Sequence, residues 1–286
     1  MKIIDPHLHL FDLALGDYQW LKADQAPFWP DKHRIAKNFT EQDLTLTPPL
    51  TLAGFVHIEA GFDNQQPWRE IAWLENHCQL PFRSIAMLDI SLASAHFNQQ
   101  LTKLMAFESV VGIRHILDEH ALAILCNPNS QANLTTLAAH KLIFELQMPL
   151  TDTPALAQFM SILAKIPELK VCVNHAGWPV TDSKQHQLWF KNLTRLAEFT
   201  QVFIKCSGFE MFDRDYLAAW QRQIVRQCLA AFTVKRVMLA SNFPLNILHS
   251  SYQNTWQNNT ELLCSTTQRE LVCFANAVSF YQLALT

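Results

Sequence analysis

Eight short apolar, β-rich runs recur along the chain, each ending in small or polar residues. They are KIIDPHLHL at 2–10, LAGFVHIEA at 52–60, RSIAMLDI at 83–90, VVGIRHI at 110–116, LIFELQM at 142–148, KVCVNHA at 170–176, QVFIKCSG at 201–208 and RVMLASNFP at 236–244. Their apolar positions run on rather than alternate, the pattern of parallel strands covered on both faces. Between the runs the period changes. Leu156, Phe159, Met160 and Leu163 share one helical face after the fifth run, and Leu217, Trp220, Ile224 and Cys228 share one after the seventh. Thr153-Pro154 reads as an N-cap followed by proline at the first helical position. The stretch from Asp213 to Phe232 opens with acids, which suit a helix start.

Strands alternating with helices predict βαβ units and a parallel sheet. Eight such units in 286 residues predict an α/β fold of the (β/α)8 TIM-barrel type, as one domain over 1–286. A doubly wound open sheet is the competing architecture, but it usually carries a glycine-rich turn after its first strand. Here that strand ends in histidines, and the chain contains no GxGxxG and only 6 glycines. Gly61, Gly177 and Gly208 each follow a predicted strand, where the backbone must turn tightly. The stretch at about 11–50 is long for a connection within such a barrel. Its aromatics and prolines (Tyr18, Trp20, Pro27, Phe28, Trp29, Pro30) predict an ordered insertion over the barrel mouth.

Composition narrows the function classes. With 49% hydrophobic and 16% charged residues, the chain is neither a disordered tail nor a collagen-like repeat. A net charge of −3 argues against a nucleic-acid partner, which wants a basic face. No uninterrupted apolar run reaches the roughly 18 residues of a membrane span. The cysteines at 78, 126, 172, 206, 228, 264 and 273 form no CxxC pair, so they predict free thiols in a reducing compartment. The opening MKIIDPHLHLF has no secretory pattern, which makes the expected location cytoplasmic. The expected partner is a small anionic molecule, and the expected assembly a monomer or homodimer.

Barrel active sites lie at the C-terminal ends of the strands. Those ends offer Asp5, His7 and His9 on the first strand, His57 and Glu59 on the second, Arg114 and His115 on the fourth, and Glu145 and Gln147 on the fifth. Asn174 and His175 end the sixth, Lys205 and Ser207 the seventh, Ser241 and Asn242 the eighth. Polar side chains inside apolar strands are costly to bury alone, so their recurrence predicts a shared polar cavity. His7 and His9 stand at i and i+2, which points both imidazoles to one side of a strand. Such a pair can ligate zinc or, without metal, polarise a carbonyl oxygen. His175 is a second candidate for that cluster. Arg114 needs an anion, from a partner carboxylate or from a substrate, and a buried Lys205 needs a partner or a lowered pKa. His57 and Glu59 fall on one strand face, to assist the site or to bond each other. Glu145 and Gln147 give the fifth strand a polar face. His115 points away from Arg114 and reads as structural, and Cys172 and Cys206 read as core.

The series DPHLHLF with YQWL at 18–21, VHIEAG (56–61), VGIRHILD (111–118), FELQMP (144–149), VNHAGWP (173–179), IKCSGFE (204–210) and LASNFP (239–244) resembles, over nearly the whole chain, the amidohydrolase-related (amidohydrolase 2) proteins of the lactonase group. That group includes sugar-acid lactonases and 2-pyrone-4,6-dicarboxylate lactonase. The resemblance implies a TIM-barrel hydrolase that opens a small carboxylated or sugar-acid lactone. His7, His9 and His175 match positions that bind one divalent metal in some members and the substrate carbonyl directly in others. Arg114 matches a position for substrate contact. Lys205, His57, Glu59 and Gln147 complete the expected substrate shell.

Two departures bear on activity. The family's eighth-strand motif carries an aspartate as general base where this chain has Asn242, whose amide takes no proton at ordinary pH. The sixth-strand aspartate is likewise replaced, by Asn174. The superfamily's fifth-strand histidine is Gln147 here, so a zinc ion would rest on His7, His9 and His175, with Glu59 as a further ligand. Water activation then falls to zinc-bound hydroxide, Glu59, His57 or Glu210. Three readings follow, in order: a lactone hydrolase, a weakened or silent small-acid-binding derivative, and a metal-dependent decarboxylase.

Overall fold

The computed structural model describes residues 1–285. Every predicted run forms a strand: β1 (Lys2–Leu8), β2 (Thr51–Ile58), β3 (Phe82–Met87), β4 (Val110–Ile116), β5 (Ile143–Gln147), β6 (Val171–Val173), β7 (Val202–Cys206) and β8 (Val237–Leu239). They pair in parallel and in chain order, β1 to β8. That order is the one a barrel requires and a doubly wound sheet breaks. Beyond the short β8, the chain closes back on β1: Leu8 bridges Phe243, the Asn242 N–H donates to the His7 carbonyl at 2.9 Å, and the His9 N–H to the Phe243 carbonyl.

The connecting helices are α1 (Trp68–His77), α2 (Ser94–Leu104), α3 (Ala121–Cys126), α4 (Pro128–Ala139), α5 (Thr153–Lys165), α6 (Ser183–Ala197), α7 (Ala218–Phe232), α8 (Tyr252–Glu261), α9 (Thr266–Glu270) and α10 (Asn276–Tyr281). Two helix starts differ from the sequence expectation. The N-cap of α5 is Asp152, whose side chain accepts from the Ala155 N–H, so Thr153 already lies inside the helix. Helix α7 begins at Ala218 with no acid in its first turn. Asp213 caps a preceding turn through the Asp215 N–H, and Leu217 is 72% exposed at the helix boundary instead of sharing its buried face. Short acidic side chains compete for local backbone donors, and here they make a turn rather than a helix end.

Two apolar cores result. The larger lies between strands and helices. The smaller fills the barrel interior with Ile4, Val56, Ile58, Ile85, Cys172 and Met238, and is completed by Ala277, Phe280 and Tyr281 of α10. The same inward-facing rows continue upward as Arg114, Glu145, Gln147 and Lys205, so polar chemistry sits directly on an apolar floor.

Residues 11–50 carry no α-helix. They form 3-10 turns at Gln19–Leu21, Lys32–Arg34 and Glu41–Asp43, joined by a Phe11–Phe39 bridge. Trp20 Nε1 donates to the Ala60 carbonyl after β2, Arg34 donates to the Ile247 and Leu248 carbonyls after β8, and Asp31 pairs with Arg214 after β7 at 2.8 Å. Among the described residues no helix is long and apolar enough to cross a membrane. The thiols of all seven cysteines are free, and Cys172 and Cys206 lie in the core.

Candidate active site

The DPHLH segment departs from regular strand geometry. Register with β2 shifts between Asp5 and Leu8, at Pro6, which has no N–H to give a ladder. Asp5 anchors the irregularity. One carboxylate oxygen accepts from the backbone N–H groups of His7 and Ser241, and the other from Tyr252 Oη and Trp256 Nε1. With both oxygens filled, this carboxylate ties β1 to the chain after β8. His7 and His9 come out as neighbours, with ring centroids 5.1 Å apart.

His175 joins them. Its ring lies 4.6 Å from that of His7. It is delivered by a backbone turn of unusual hand: His175, Ala176, Gly177 and Trp178 have φ of 52°, 53°, 66° and 61°. Left-handed conformations at non-glycine residues cost of order 1 kcal/mol or more each and cluster at functional sites. The turn is held by Trp189 Nε1 donating to the Ala176 carbonyl at 2.8 Å. Gly208 makes room for the ring, because a Cβ there would stand 2.3 Å from His175 Nδ1. Ser207 Oγ lies 3.1 Å from that same nitrogen.

The cluster has an unequal distribution of partners. His9 Nδ1–H donates to the Ile58 carbonyl at 2.8 Å, which leaves a lone pair on Nε2. Both nitrogens of His7 are buried without any partner, as are both polar atoms of the Asn174 side chain. Buried polar atoms are rarely left unpaired, and each such case costs on the order of 1–3 kcal/mol.

Around the imidazoles, the expected substrate shell is mostly engaged within the protein. Arg114 Nε donates to Glu59 Oε1 at 2.8 Å, Nη1 to Gln147 Oε1 at 3.0 Å and Nη2 to the Glu59 carbonyl at 2.8 Å. Lys205 Nζ, wholly buried, donates to Glu145 Oε2 at 2.8 Å, and Tyr281 from α10 donates to Glu145 Oε1 at 2.6 Å. Of the two roles open to His57 and Glu59 in the sequence, a bond to each other is not formed. Strand β2 ends at Ile58; Glu59 turns to Arg114, while His57 turns to Glu70 of α1, Nε2 to Oε1 at 3.0 Å. The Leu10 N–H donates to His57 Nδ1. Glu70 gives no periodic signal in the sequence. Its burial at 2% goes with two partners on Oε1, the His57 ring and the Ala60 N–H.

Asn242 has φ 60°, and its Nδ2 donates to Glu210 Oε1 at 2.6 Å. Burial pushes the Glu210 carboxyl up to about 7, against the opposing bond from Asn242. The imidazoles shift the other way. Burial, then the positive charges of Lys205 and Arg114, hold His7 well below its usual value. His9 is held low by burial and Arg114, and His175 is lowered to about 3 by burial, Arg114 and Lys205. All three rings are therefore neutral at pH 7. A cavity of about 670 Å³ lies between the segments that follow His175 and Glu210 in sequence, walled by Pro179, Phe212, Tyr216 and Trp220; none of the three imidazoles lines it.

The donor set does not fit a divalent metal as it stands. Among the described residues no three His, Cys, Asp or Glu side chains are arranged to hold an ion. The neighbouring carboxylates of Glu59 and Glu145 are committed to Arg114 and Lys205, so neither offers a free charged ligand beside the imidazoles.

Comparison with known proteins gives consistent results. The family profile described as amidohydrolase matches residues 4–283. The chain is 27% identical to protein y4mH of Sinorhizobium fredii, covering 99% of each. It is 24% identical to an L-fucono-1,5-lactonase of Burkholderia ambifaria, covering 98% of this chain and 95% of that one. Among solved structures, a Burkholderia multivorans amidohydrolase with bound zinc superposes with a TM-score of 0.81 at 19% identity, covering 99% of this chain and 100% of that one. A 2,6-dihydroxybenzoate decarboxylase from Rhizobium shares the fold at a TM-score of 0.62 and 11% identity, over 98% of both chains.

Proposed function

Because the chain belongs to the amidohydrolase family, matched over residues 4–283, we propose that it hydrolyses a small lactone bearing a sugar-acid or carboxylate group. The observation that carries this reading is His7: a wholly buried imidazole with two unpartnered nitrogens, 4.6 Å and 5.1 Å from two further imidazoles. Such a group is stabilised by a ligand that supplies what the protein withholds. A lactone carbonyl oxygen supplies an acceptor for one of those nitrogens. The 24% identity to an L-fucono-1,5-lactonase supports the ester-like bond.

The roles follow from the tautomers. His7 donates an N–H to the carbonyl oxygen. His175 donates a second when Ser207 Oγ–H bonds its Nδ1. His9, with its lone pair on Nε2, accepts from a substrate hydroxyl. Negative charge that develops on the carbonyl oxygen then meets fixed N–H dipoles. Preorganised donors of this kind are worth about 10²–10³ in rate each. Arg114, Gln147 and Lys205 set the potential and shape of the pocket, and His57 and Glu59 hold the backbone and the guanidinium in place. Asn242 orients Glu210. Residues 11–50, tied to the ends of β2, β7 and β8, roof the site. The imidazoles act here as hydrogen-bonding groups, without zinc.

A second reading, a small-acid-binding protein without turnover, is favoured by one feature, the neutral Asn242 where the resemblance places a proton acceptor. A panel of aldono-1,4- and 1,5-lactones, including L-fucono-1,5-lactone, assayed with a pH indicator separates the two. Acid release by the wild type that disappears in His7→Ala supports hydrolysis. Saturable binding of lactone or hydroxy acid without acid release overturns it in favour of the binder.

A further inference from the structure

Of the buried carboxylates, Glu210 differs from the others in how it is satisfied. Glu59 faces Arg114, Glu145 faces Lys205 and Glu70 faces His57. Asp5 has no cation, but both of its oxygens are filled by donors. Glu210 accepts a single side-chain bond, from the neutral amide of Asn242 to Oε1. Among the described residues no other side chain bonds either oxygen, and the further donor is its own backbone N–H. The nearby cation does not serve it either, because Arg214 gives its guanidinium to the Glu210 backbone carbonyl and to Asp31. A carboxylate buried to 3% exposure with no cation bonded to it and a single neutral side-chain donor is an expensive arrangement that contributes little to the fold.

Its location gives it a use. The turn that carries Glu210 starts at Ser207 and Gly208, which contact the His175 ring. Asn242, its tether, is bonded through its own backbone N–H to the His7 carbonyl. The glutamate is thus fixed from two sides to the imidazole cluster. We infer that Glu210 is the general base of this site, with Asn242 holding Oε1 so that Oε2 faces the attacking water.

This assignment rests on the lactonase reading above and completes it. A water O–H proton passes to Oε2 as the water oxygen bonds the lactone carbonyl carbon, and the carbonyl π pair moves onto the oxygen held by the imidazole N–H groups. Collapse re-forms that carbonyl and breaks its bond to the ring oxygen, which takes the proton back from Glu210. The sum is lactone plus water giving hydroxy acid, with the carboxylate regenerated. The other candidates are poorer bases. Protonating Glu59 would leave Arg114 buried without its counter-ion, His57 points to α1, and the imidazoles are held too acidic to compete at pH 7. A carboxyl raised to about 7 by burial suits proton transfer near neutral pH. The charged and titratable groups facing it are Arg214 and Tyr216, the latter itself raised by burial and by Glu210.

The test is a set of variants assayed on the same lactone panel. Glu210→Gln should lower kcat by about 10²–10⁴ with KM little changed, and abolish the acid limb of the kcat/KM profile near pH 7. Glu210→Asp should recover part of that loss. Asn242→Asp alone should gain nothing, since it sets two carboxylates within a hydrogen bond of each other, whereas Glu210→Gln/Asn242→Asp, which exchanges the two groups, should regain at least tenfold over Glu210→Gln. A wild type that turns over the panel while Glu210→Gln keeps its kcat overturns this assignment alone. So does a single Asn242→Asp variant that gains tenfold or more. A wild type with no turnover on any lactone overturns the lactonase reading and this assignment with it.

Discussion

The raised pKa of Glu210 is a statement about stability as well as catalysis, and it can be tested without any substrate. Folding moves this carboxyl from 4.5 to about 7. The folded state therefore binds the proton more tightly than the unfolded chain does. Its contribution to stability is fully present below about pH 4.5 and is lost as pH rises through 7. The gap is worth about 3 kcal/mol between acid and mildly alkaline solution. Glu210→Gln keeps the amide oxygen that accepts from Asn242 but removes the titration. The variant should match the wild type near pH 5 and exceed it at pH 8.5. For a chain of this length, about 3 kcal/mol corresponds to a Tm difference of about 5 °C. The measurement is the difference in Tm between variant and wild type, at one scan rate, across pH 5 to 8.5. Titrations common to both proteins, including the histidines that oppose this trend, cancel in that difference. A difference that stays flat would show that the carboxyl is not held above its ordinary value, and the pH argument for Glu210 as base would fall with it.

Three further outcomes follow from the site. His7→Leu, which removes two buried unpartnered nitrogens at similar volume, should abolish turnover while leaving stability equal to or about 1 kcal/mol above wild type; a loss of several kcal/mol in urea denaturation would mean that the ring is a satisfied core residue. Lys205→Met strands the Glu145 charge in the barrel and should cost about 3–5 kcal/mol, most of it recovered in Lys205→Met/Glu145→Gln; simple additivity of the two changes would refute a coupled pair. Dialysis against EDTA should leave lactone turnover within twofold, and a loss that added zinc restores would refute the metal-free use of the imidazoles.

The barrel was legible because eight apolar runs and their spacing are set by burial on both faces, which the sequence pattern records directly. His7, His9 and His175 were legible for a related reason, since strand ends in this fold converge. What sequence could not provide was pairing. Glu59 follows His57 by two residues and shares its face on any regular strand, yet the strand stops between them and their partners lie on different elements. Tyr281 lies 136 residues from Glu145, and only the closing of the barrel by α10 brings them together. The left-handed turn from His175 to Trp178 was equally hidden, because only Gly177 within it advertises positive φ. The helix start placed at Asp213 failed because short acids serve turns as readily as helix ends.

The charges of the site form a sequence from floor to mouth that bears on how it handles an anion. At the floor, Lys205 is neutralised by Glu145, which α10 fixes through Tyr281. Above it, Arg114 is neutralised by Glu59 and oriented by Gln147. The imidazoles stand in this field uncharged, so they add dipoles without adding charge. A carboxylate-bearing substrate then meets donors that need no counter-ion to be displaced, and an oxyanion formed during attack adds one charge to a set that began balanced. Had the histidines been protonated at rest, the substrate would be held by ground-state attraction, which lowers KM without lowering the barrier. Keeping them neutral reserves their strongest interaction for the charge that appears only in the transition state, and burial above all, with the neighbouring cations adding to it, keeps them so.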